Sequence, residues 1–468
     1  MNKTKQSKGL GISTKSFIAA LAILLVLMCL TYALTFVIPG GEYQRAEDEN
    51  GATVIVADSF NSDVEGGLPF WKWLCSPVLA LGAEGGGTII AVIAFLLLVG
   101  GVFNALDKSG LMKYMLNKIV YRFGKLRYKL VAVVVLFFMA MGAFIGSFEE
   151  CVPLVPIVVA LAVALGFDEL AGLGMSLLAI GCGFASGVCN PFTIGVAQEL
   201  AGLPMFSGIW LRLVSFAFIY GLVVLFVLLR AKKVARPLDQ LELNTEFAGN
   251  KKMDRALVSF VVVLGVGIAA VLSSVWISAL QDYTMIIVAL TFLLAGVSAV
   301  VLSGMKLIDL GKNFFYGLVS ILPAVLMILM ASSIKYTLTE AHVLDTLLYS
   351  AVEVAQTLPR PVMVLFIYLV VLAMNFFISS GSAKAFLLMP LVVPLAQITG
   401  ISTQLSVLAF GFGDGFSNIL YPTNPVLLIS LGLAGISYVK WLKWTWKIQL
   451  AILALTSALL MFGYVVGY

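Results

Sequence analysis

The chain has 468 residues, of which 61% are hydrophobic and only 11% charged, with a formal net charge of +5 at pH 7. A soluble domain carries about a quarter of its residues as charges, so this composition excludes a water-soluble fold and requires a bilayer. The basic residues sit in loops between apolar stretches, a pattern that orients membrane proteins and is no nucleic-acid signature.

Lys3, Lys5, Lys8 and Lys15 precede the first apolar stretch without an acid, which places the N-terminus in the cytoplasm. Residues 17–38 are too long for the apolar part of a signal peptide and lack a small-x-small cleavage site, so they read as an uncleaved first span. The loop 41–67 has seven acids against Arg45 and suits the outer side. Trp71 and Trp73 follow on an amphipathic or re-entrant piece, and a span at about 88–106 returns inward. Residues 107–129 hold seven bases against one acid, with Leu111, Met115, Ile119 and Val120 between them at helical spacing. This is expected to be an interfacial helix on the cytoplasmic face.

Two short apolar runs, 130–144 and 152–165, flank the polar break GSFEE at 146–150. Neither is long enough for a full crossing. They predict a re-entrant hairpin entering from the cytoplasm, whose irregular tip survives at depth only inside protein or beside water. Residues 170–203 are interrupted by GCGFASGVCNP and predict a crossing made of two half-helices. A span at 209–229 returns inward to a basic linker.

The second half opens with spans at 257–280 and 285–302, an inner loop with Lys306 and Lys312, and a span at 318–333. Residues 340–359 are acidic and are expected outside. A second hairpin, 362–378 and 385–396, therefore enters from the outside, with its tip at SSGSAK, residues 379–384. A second broken crossing, 405–433, contains GFGDGFSNILYPTNP. Lys440, Lys443 and Lys447 alternate with Trp441, Trp444 and Trp446 in a cytoplasmic belt, and the C-terminus is expected outside.

The halves repeat one another. At an offset of 234, Pro156 meets Pro390, Gly166 meets Gly400, Gly181 meets Gly415, Asn190-Pro191 meets Asn424-Pro425, and Trp210 meets Trp444. Gly, Pro, Asn and Trp matches do not come cheaply in an apolar chain. The chain is thus read as an all-α polytopic membrane protein of two inverted repeats, 1–230 and 255–468, joined by a cytoplasmic linker at 231–254. Each repeat supplies one re-entrant hairpin and one broken helix, the pattern of a secondary transporter whose site lies where the copies meet.

Opened helix ends expose free N–H and C=O groups, suited respectively to carboxylates and to Na+. The small residues Ser147, Ser186, Ser379, Ser380 and Ser382 let a ligand approach the backbone, and Asn190, Asn418, Thr423 and Asn424 add polar groups at the breaks. Glu149, Glu150, Lys384 and Asp414 are ionisable residues in apolar surroundings, which by default are functional. Glu150 aligns with Lys384 in the repeat, so the tips differ chemically. Lys384 suits a substrate carboxylate, although a Glu150–Lys384 pair closing the hairpins is the structural alternative. Glu149, Glu150, Asp414 and the tip glycines Gly146 and Gly381 suit a coupling Na+ or H+, and the three acids, Glu150 as a substrate-binding residue among them, equally suit a substrate ammonium. The cysteines Cys29, Cys75, Cys151, Cys182 and Cys189 form no CxxC and read as free thiols, and the single histidine, His342, excludes a His-based metal centre.

The stretches SFEECVPLVPIVVALAVALGFD, GCGFASGVCNPFTIGVAQELAG, NFFISSGSAKAFLLMP and FGDGFSNILYPTNPVLLISLGLAGISYVKWLKW resemble the YfcC-like proteins of the C4-dicarboxylate anaerobic carrier group, over nearly the whole chain. The resemblance implies the ion transporter superfamily fold, a scaffold domain that forms a homodimer, and a transport domain that moves like an elevator in the bacterial inner membrane. By position it carries the site onto Ser147, Ser380–Ser382, Ser186–Asn190 and Asp414–Asn424. Where the divalent-anion/sodium symporters carry a Ser-Asn-Thr tip, this chain has Ser-Phe-Glu and Ser-Gly-Ser. The expected function is secondary transport of a small carboxylate-bearing metabolite, a C4-dicarboxylate or alternatively an amino acid in arginine/ornithine-type exchange. An intramembrane aspartyl protease using the GFGD at 411–414 lacks a Tyr-Asp partner span, and a passive channel has no need of two inverted hairpins.

Overall fold

The computed structural model describes residues 14–47, 53–56, 58–83, 86–146, 148–237, 249–273 and 283–468. Lys3, Lys5, Lys8, Ser147, the Glu150 side chain, linker residues 238–248 and the end of the expected 257–280 span lie outside the described residues. Among the described residues the chain is mostly helical, and eight helical segments are long and apolar enough to cross a membrane. Among the same residues, a ladder of two three-residue strands, β1 (Arg45–Glu47) and β2 (Thr53–Ile55), in the acidic loop departs from the all-α expectation.

The first half runs α1 (Thr14–Val37), α2 (Phe70–Leu79), α3 (Gly86–Lys108), the amphipathic α4 (Leu111–Phe123) and α5 (Arg127–Ala140). A π-helical turn, Met141–Ile145, carries α5 to the first tip, and α6 (Leu154–Ala164) leads back. At 11 residues α6 reaches only about 17 Å, well short of a 30 Å hydrocarbon core, whereas the expected short arm α5 runs on through the π turn and, with α4, forms an apolar helical segment, Leu111–Ile145, long enough to cross. Arg127 Nη1 donates to the Leu165 carbonyl at 3.2 Å, which closes the mouth of this hairpin.

The first broken helix is α7 (Glu169–Leu173), a π turn, α8 (Ala179–Ser186), a break at 187–190, and a second π turn leading into α9 (Val196–Leu200). The break is shorter than GCGFASGVCNP suggests, because α8 keeps its glycines helical up to Ser186 and only Gly187 turns left-handed, at φ 46°. Then α10 (Ile209–Val234) crosses in 26 residues, about 39 Å.

The second half runs α11 (Lys251–Ser273), α12 (Thr284–Leu302), α13 (Leu307–Glu340) and α14 (Val343–Gln356). The 34-residue α13 takes in the Lys312 expected in a loop, and Asp309 in its first turn favours the positive helix end. The second hairpin is α15 (Arg360–Met374) and α16 (Gly381–Thr399). Ser380 caps α16, so Gly381 to Lys384, expected at the tip, form the first helical turn instead. The second broken helix is α17 (Thr403–Gly415), a 3-10 turn over Phe416–Ile419, and α18 (Pro425–Leu433), followed by α19 (Tyr438–Val466).

The hairpin mouths lie at opposite ends of α10. Past its C-terminus, Arg236 N donates to Gly166 O at 2.8 Å, beside the first mouth. Before its N-terminus, Ser207 and Gly208 bond to Gln404 and Tyr468, which follow the Gly400 end of the second hairpin. The Arg360 guanidinium packs against Gly400 and closes that second mouth.

The two broken helices cross at the centre of the molecule, where α8 and α17 are buried along almost their whole length. Gly415 packs on the Ala185 backbone and Gly181 on the Ile419 side chain. At the 234 offset 181 maps to 415 and 185 to 419, so these are one contact seen from either half. The acidic loop is fixed to the α13–α14 junction by Gly41 N to His342 O at 3.0 Å and Tyr43 N to Asp345 Oδ2 at 3.0 Å.

Candidate functional site

Both broken helices restart at an Asn-Pro pair, and the local reason is the same. The asparagine is the N-cap and the proline sits at the first helical position, where its missing N–H is no loss. Asn190 Oδ1 accepts from Phe192 N and Asn424 Oδ1 from Val426 N, each at 2.9 Å. Their amide oxygens, expected to meet substrate, are thereby committed to the chain. Asn424 Nδ2 donates to Asn418 Oδ1 at 3.0 Å, whereas Asn190 Nδ2 is buried without a partner.

The first tip packs on the first break. Gly146 is left-handed at φ 76°, and a Cβ there would stand 2.1 Å from Asn190 Oδ1, so only glycine fits. Cys189 N donates to Ala143 O at 3.0 Å. Ser186 returns its hydroxyl to Cys182 O at 3.0 Å and is fully buried. Back-bonding of this kind satisfies the hydroxyl within its own helix.

Behind the second tip lies a buried polar cluster. Lys384, wholly inaccessible, donates from Nζ to Asp414 Oδ1 and to Asn375 Oδ1. Its carboxylate partner is thus Asp414, so the residue expected on a substrate and the one expected on a coupling ion form one ion pair. Asn375, at the end of α15, shares the two protons of its Nδ2 among three acceptors, the Asp414 carbonyl at 3.1 Å, Ser417 Oγ at 2.6 Å and Asn418 Oδ1 at 3.0 Å. Asn418 Nδ2 also donates to Asp414 O at 2.8 Å. The second carboxylate oxygen, Asp414 Oδ2, has no partner and lies against Gly381, where a Cβ would come within 2.7 Å of it. The pair links the first turn of α16 to the end of α17.

In front of this cluster is a cavity of about 440 Å³. One wall is the second tip with Ser380 and Ser382, Thr423 just before α18, and Glu149 from the first tip. Its other wall comes from α3 and α13, including Lys335, with Arg45 from the acidic loop over it. Thr423 Oγ1 is buried without a partner. Lys384 and Asp414 are not on this lining. The expected residues therefore separate into a lining set (Glu149, Ser380, Ser382, Thr423), a supporting set (Lys384, Asp414, Asn418, Asn424, Gly381) and a tip-to-break contact (Gly146, Asn190).

Sequence reasoning passes over Asn375, Lys335 and Arg45. Asn375 and Lys335 had a usable signal, since each is a polar residue in an otherwise apolar helical run. Arg45 had none, because its place over the cavity follows from Asp345, three hundred residues away, which accepts from its guanidinium at 3.1 Å.

The family model described as "C4-dicarboxylate anaerobic carrier" matches residues 17–465. The chain is 30% identical over 400 residues to the "Putative basic amino acid antiporter YfcC" of Escherichia coli (strain K12), covering 82% of this chain and 79% of that one. It is 23% identical to an "Uncharacterized protein" of Haemophilus influenzae over 98% of both chains. Among solved structures it resembles the YdaH transporter of Alcanivorax borkumensis (TM-score 0.46, 18% identity, 97% of this chain and 99% of that one). It also resembles MtrF of Neisseria gonorrhoeae (TM-score 0.45, 15% identity, 96% and 95%). With a match that runs from the first span nearly to the last residue, the chain belongs to the C4-dicarboxylate anaerobic carrier family of multi-pass membrane transporters.

Proposed function

We propose that the chain is a secondary transporter of a small amino acid with a cationic group, bound in the cavity between the two tips and α13. The observation that carries this reading is the position of Glu149. It lines the cavity while Lys384, the residue best suited to a second substrate carboxylate, is neutralised by Asp414 behind the wall. Glu149 would face the ammonium. The positive end of α16, with Ser380 and Ser382 on the cavity wall, would face the carboxylate, with Thr423 beside them. The relative described as a basic amino acid antiporter supports exchange of such a substrate. The C4-dicarboxylate reading keeps one specific support, the cations Arg45 and Lys335 on the opposite wall, together with the family's description.

Movement is proposed to be of the elevator type between two inverted repeats. Hairpin mouths at opposite ends of α10, and the repeat-related contacts Gly181–Ile419 and Ala185–Gly415, support it. So does a cavity whose walls are the hairpins and breaks on one side and α3 with α13 on the other. Exposed apolar faces on α11 and α12, with Val258, Val262, Leu290 and Leu294, are available to lipid or to a second copy in a homodimer. The basic and acidic loops support an inner-membrane orientation with the N-terminus in the cytoplasm and the C-terminus outside. A carrier reading also leaves no task for a protease, since Asp414 is held by a lysine and not by a second carboxylate sharing its proton.

The test is thermal stabilisation of the purified protein by a ligand panel, followed by tracer counterflow in liposomes. Arginine, ornithine or lysine should stabilise it and accelerate counterflow of one another. Stabilisation by succinate or malate alone would refute the amino-acid reading and select the dicarboxylate one.

A further inference from the structure

We infer that the Lys384 ammonium is a tethered replacement for a coupling cation at the second break, so that this half of the site takes no Na+. The inference rests on the transporter reading above and deepens it. A transported cation in such a carrier is coordinated by oxygens where a broken helix opens, at the C-terminal end of a half-helix. The opened helix here offers Asp414, and the end of α15 offers Asn375 Oδ1. Both oxygens are already taken by Nζ of Lys384, a monovalent cation with three donors and no acceptor. The lysine sits in the first turn of α16, so the charge bridges tip and broken helix as a bound ion would.

The difference is that this cation cannot leave. Its side chain is completely inaccessible, and Asn375 is itself locked to Ser417 and Asn418. The cation-binding oxygens on this side of the site therefore stay occupied by a group of the protein itself. A carrier so occupied gains nothing from a Na+ gradient at this position, which suits exchange of one substrate for another. The unpartnered Asp414 Oδ2 marks the acceptor that a small cation would use once the ammonium is removed.

The experiment compares thermal unfolding of the full-length protein, without substrate, in NaCl and in choline chloride at equal ionic strength. Relative to the unmodified protein, Lys384→Ala should gain a Na+-specific stabilisation of several degrees, and adding Asp414→Asn should abolish it. Identical Na+ responses of Lys384→Ala and the unmodified protein would overturn the inference. Should Lys384→Ala unfold in choline, recovery in NaCl alone supports the cation site. Failure in both salts, with a Lys384→Met/Asp414→Leu protein that folds, would make the pair a structural bridge only and overturn it. This readout needs no substrate, so it stands apart from failure of the amino-acid assignment, which the ligand panel reports.

Discussion

The crossing of the two broken helices gives a sharp energetic prediction, because its two repeat-related contacts differ in what an added methyl meets. At Gly415 a Cβ would lie 2.0 Å from Ala185 Cα and 2.3 Å from Ala185 N, both backbone atoms. Ordinary contact begins at 3.4 Å, so α8 and α17 would have to part by about 1.4 Å at the centre of the protein. At Gly181 the methyl would meet the side chain of Ile419, with Cγ2 at 2.5 Å, a β-branched and fully buried residue that yields less than a flexible side chain but more than backbone. Overpacking costs roughly 1–3 kcal/mol, while replacing a helical glycine by alanine returns about 0.5–1 kcal/mol of backbone entropy. Gly181→Ala should therefore be destabilised by about 1 kcal/mol, and Gly415→Ala by about 2 kcal/mol or more. Thermal unfolding measures both, and counterflow should fall with Gly415→Ala. Ala185→Gly removes only the Cβ and leaves the Cα in place, so it should not rescue Gly415→Ala. Equal stability of the two single variants, or rescue by Ala185→Gly, would refute the reasoning.

The other consequences concern the site and the loop over it. Glu149→Gln should weaken binding of ammonium-bearing substrates at least tenfold, about 1.4 kcal/mol, in a titration that leaves dicarboxylate binding unchanged. Asn424→Ala should cost roughly 0.5–2 kcal/mol in unfolding experiments for its lost cap, with further loss from the freed Asn418. In the acidic loop, burial first and the Asp345 charge second push the Tyr43 phenol up from 10.0 to about 12. A raised value in the folded state means that its contribution to stability is full below pH 10 and is lost as pH rises through 12. Tyr43→Phe should thus flatten the loss of thermal stability between pH 10 and pH 12, and an unchanged alkaline profile would remove Tyr43 as its cause.

Much of this fold is legible in the sequence because a bilayer leaves few options: span lengths, basic loops and the polar breaks at 146–150 and 379–384 each have one cheap solution. The Asn-Pro doublets are legible as helix restarts, since the cap and the proline are local effects. What local chemistry cannot give is partnership. Lys384 reads as a carboxylate binder because its sequence neighbours are apolar and uncharged, yet Asp414 on another helix neutralises it. The tip residues Gly381 to Lys384 read as loop because two serines and a glycine break the apolar pattern, yet Ser380 uses its hydroxyl to start a helix there. Arg45 reads as one base in an acidic loop and reaches the cavity only through the long-range pair with Asp345.

One hydroxyl allows binding to be told apart from structure. Thr423 lines the cavity, and its Oγ1, just beneath that wall, is buried without a hydrogen-bond partner, an arrangement that costs roughly 1–3 kcal/mol. A group kept only for packing would be better as valine, which has nearly the same shape and no hydroxyl. Thr423→Val should therefore raise the unfolding temperature of the ligand-free protein and lower its affinity for substrate, two effects of opposite sign. A structural hydroxyl would lower both, because its loss would leave a partner unpaired. A hydroxyl without any role would raise stability and leave affinity alone. Only a hydroxyl held in reserve for a ligand separates the two measurements, so the sign of each, taken together, decides whether this wall of the cavity contacts what the carrier moves.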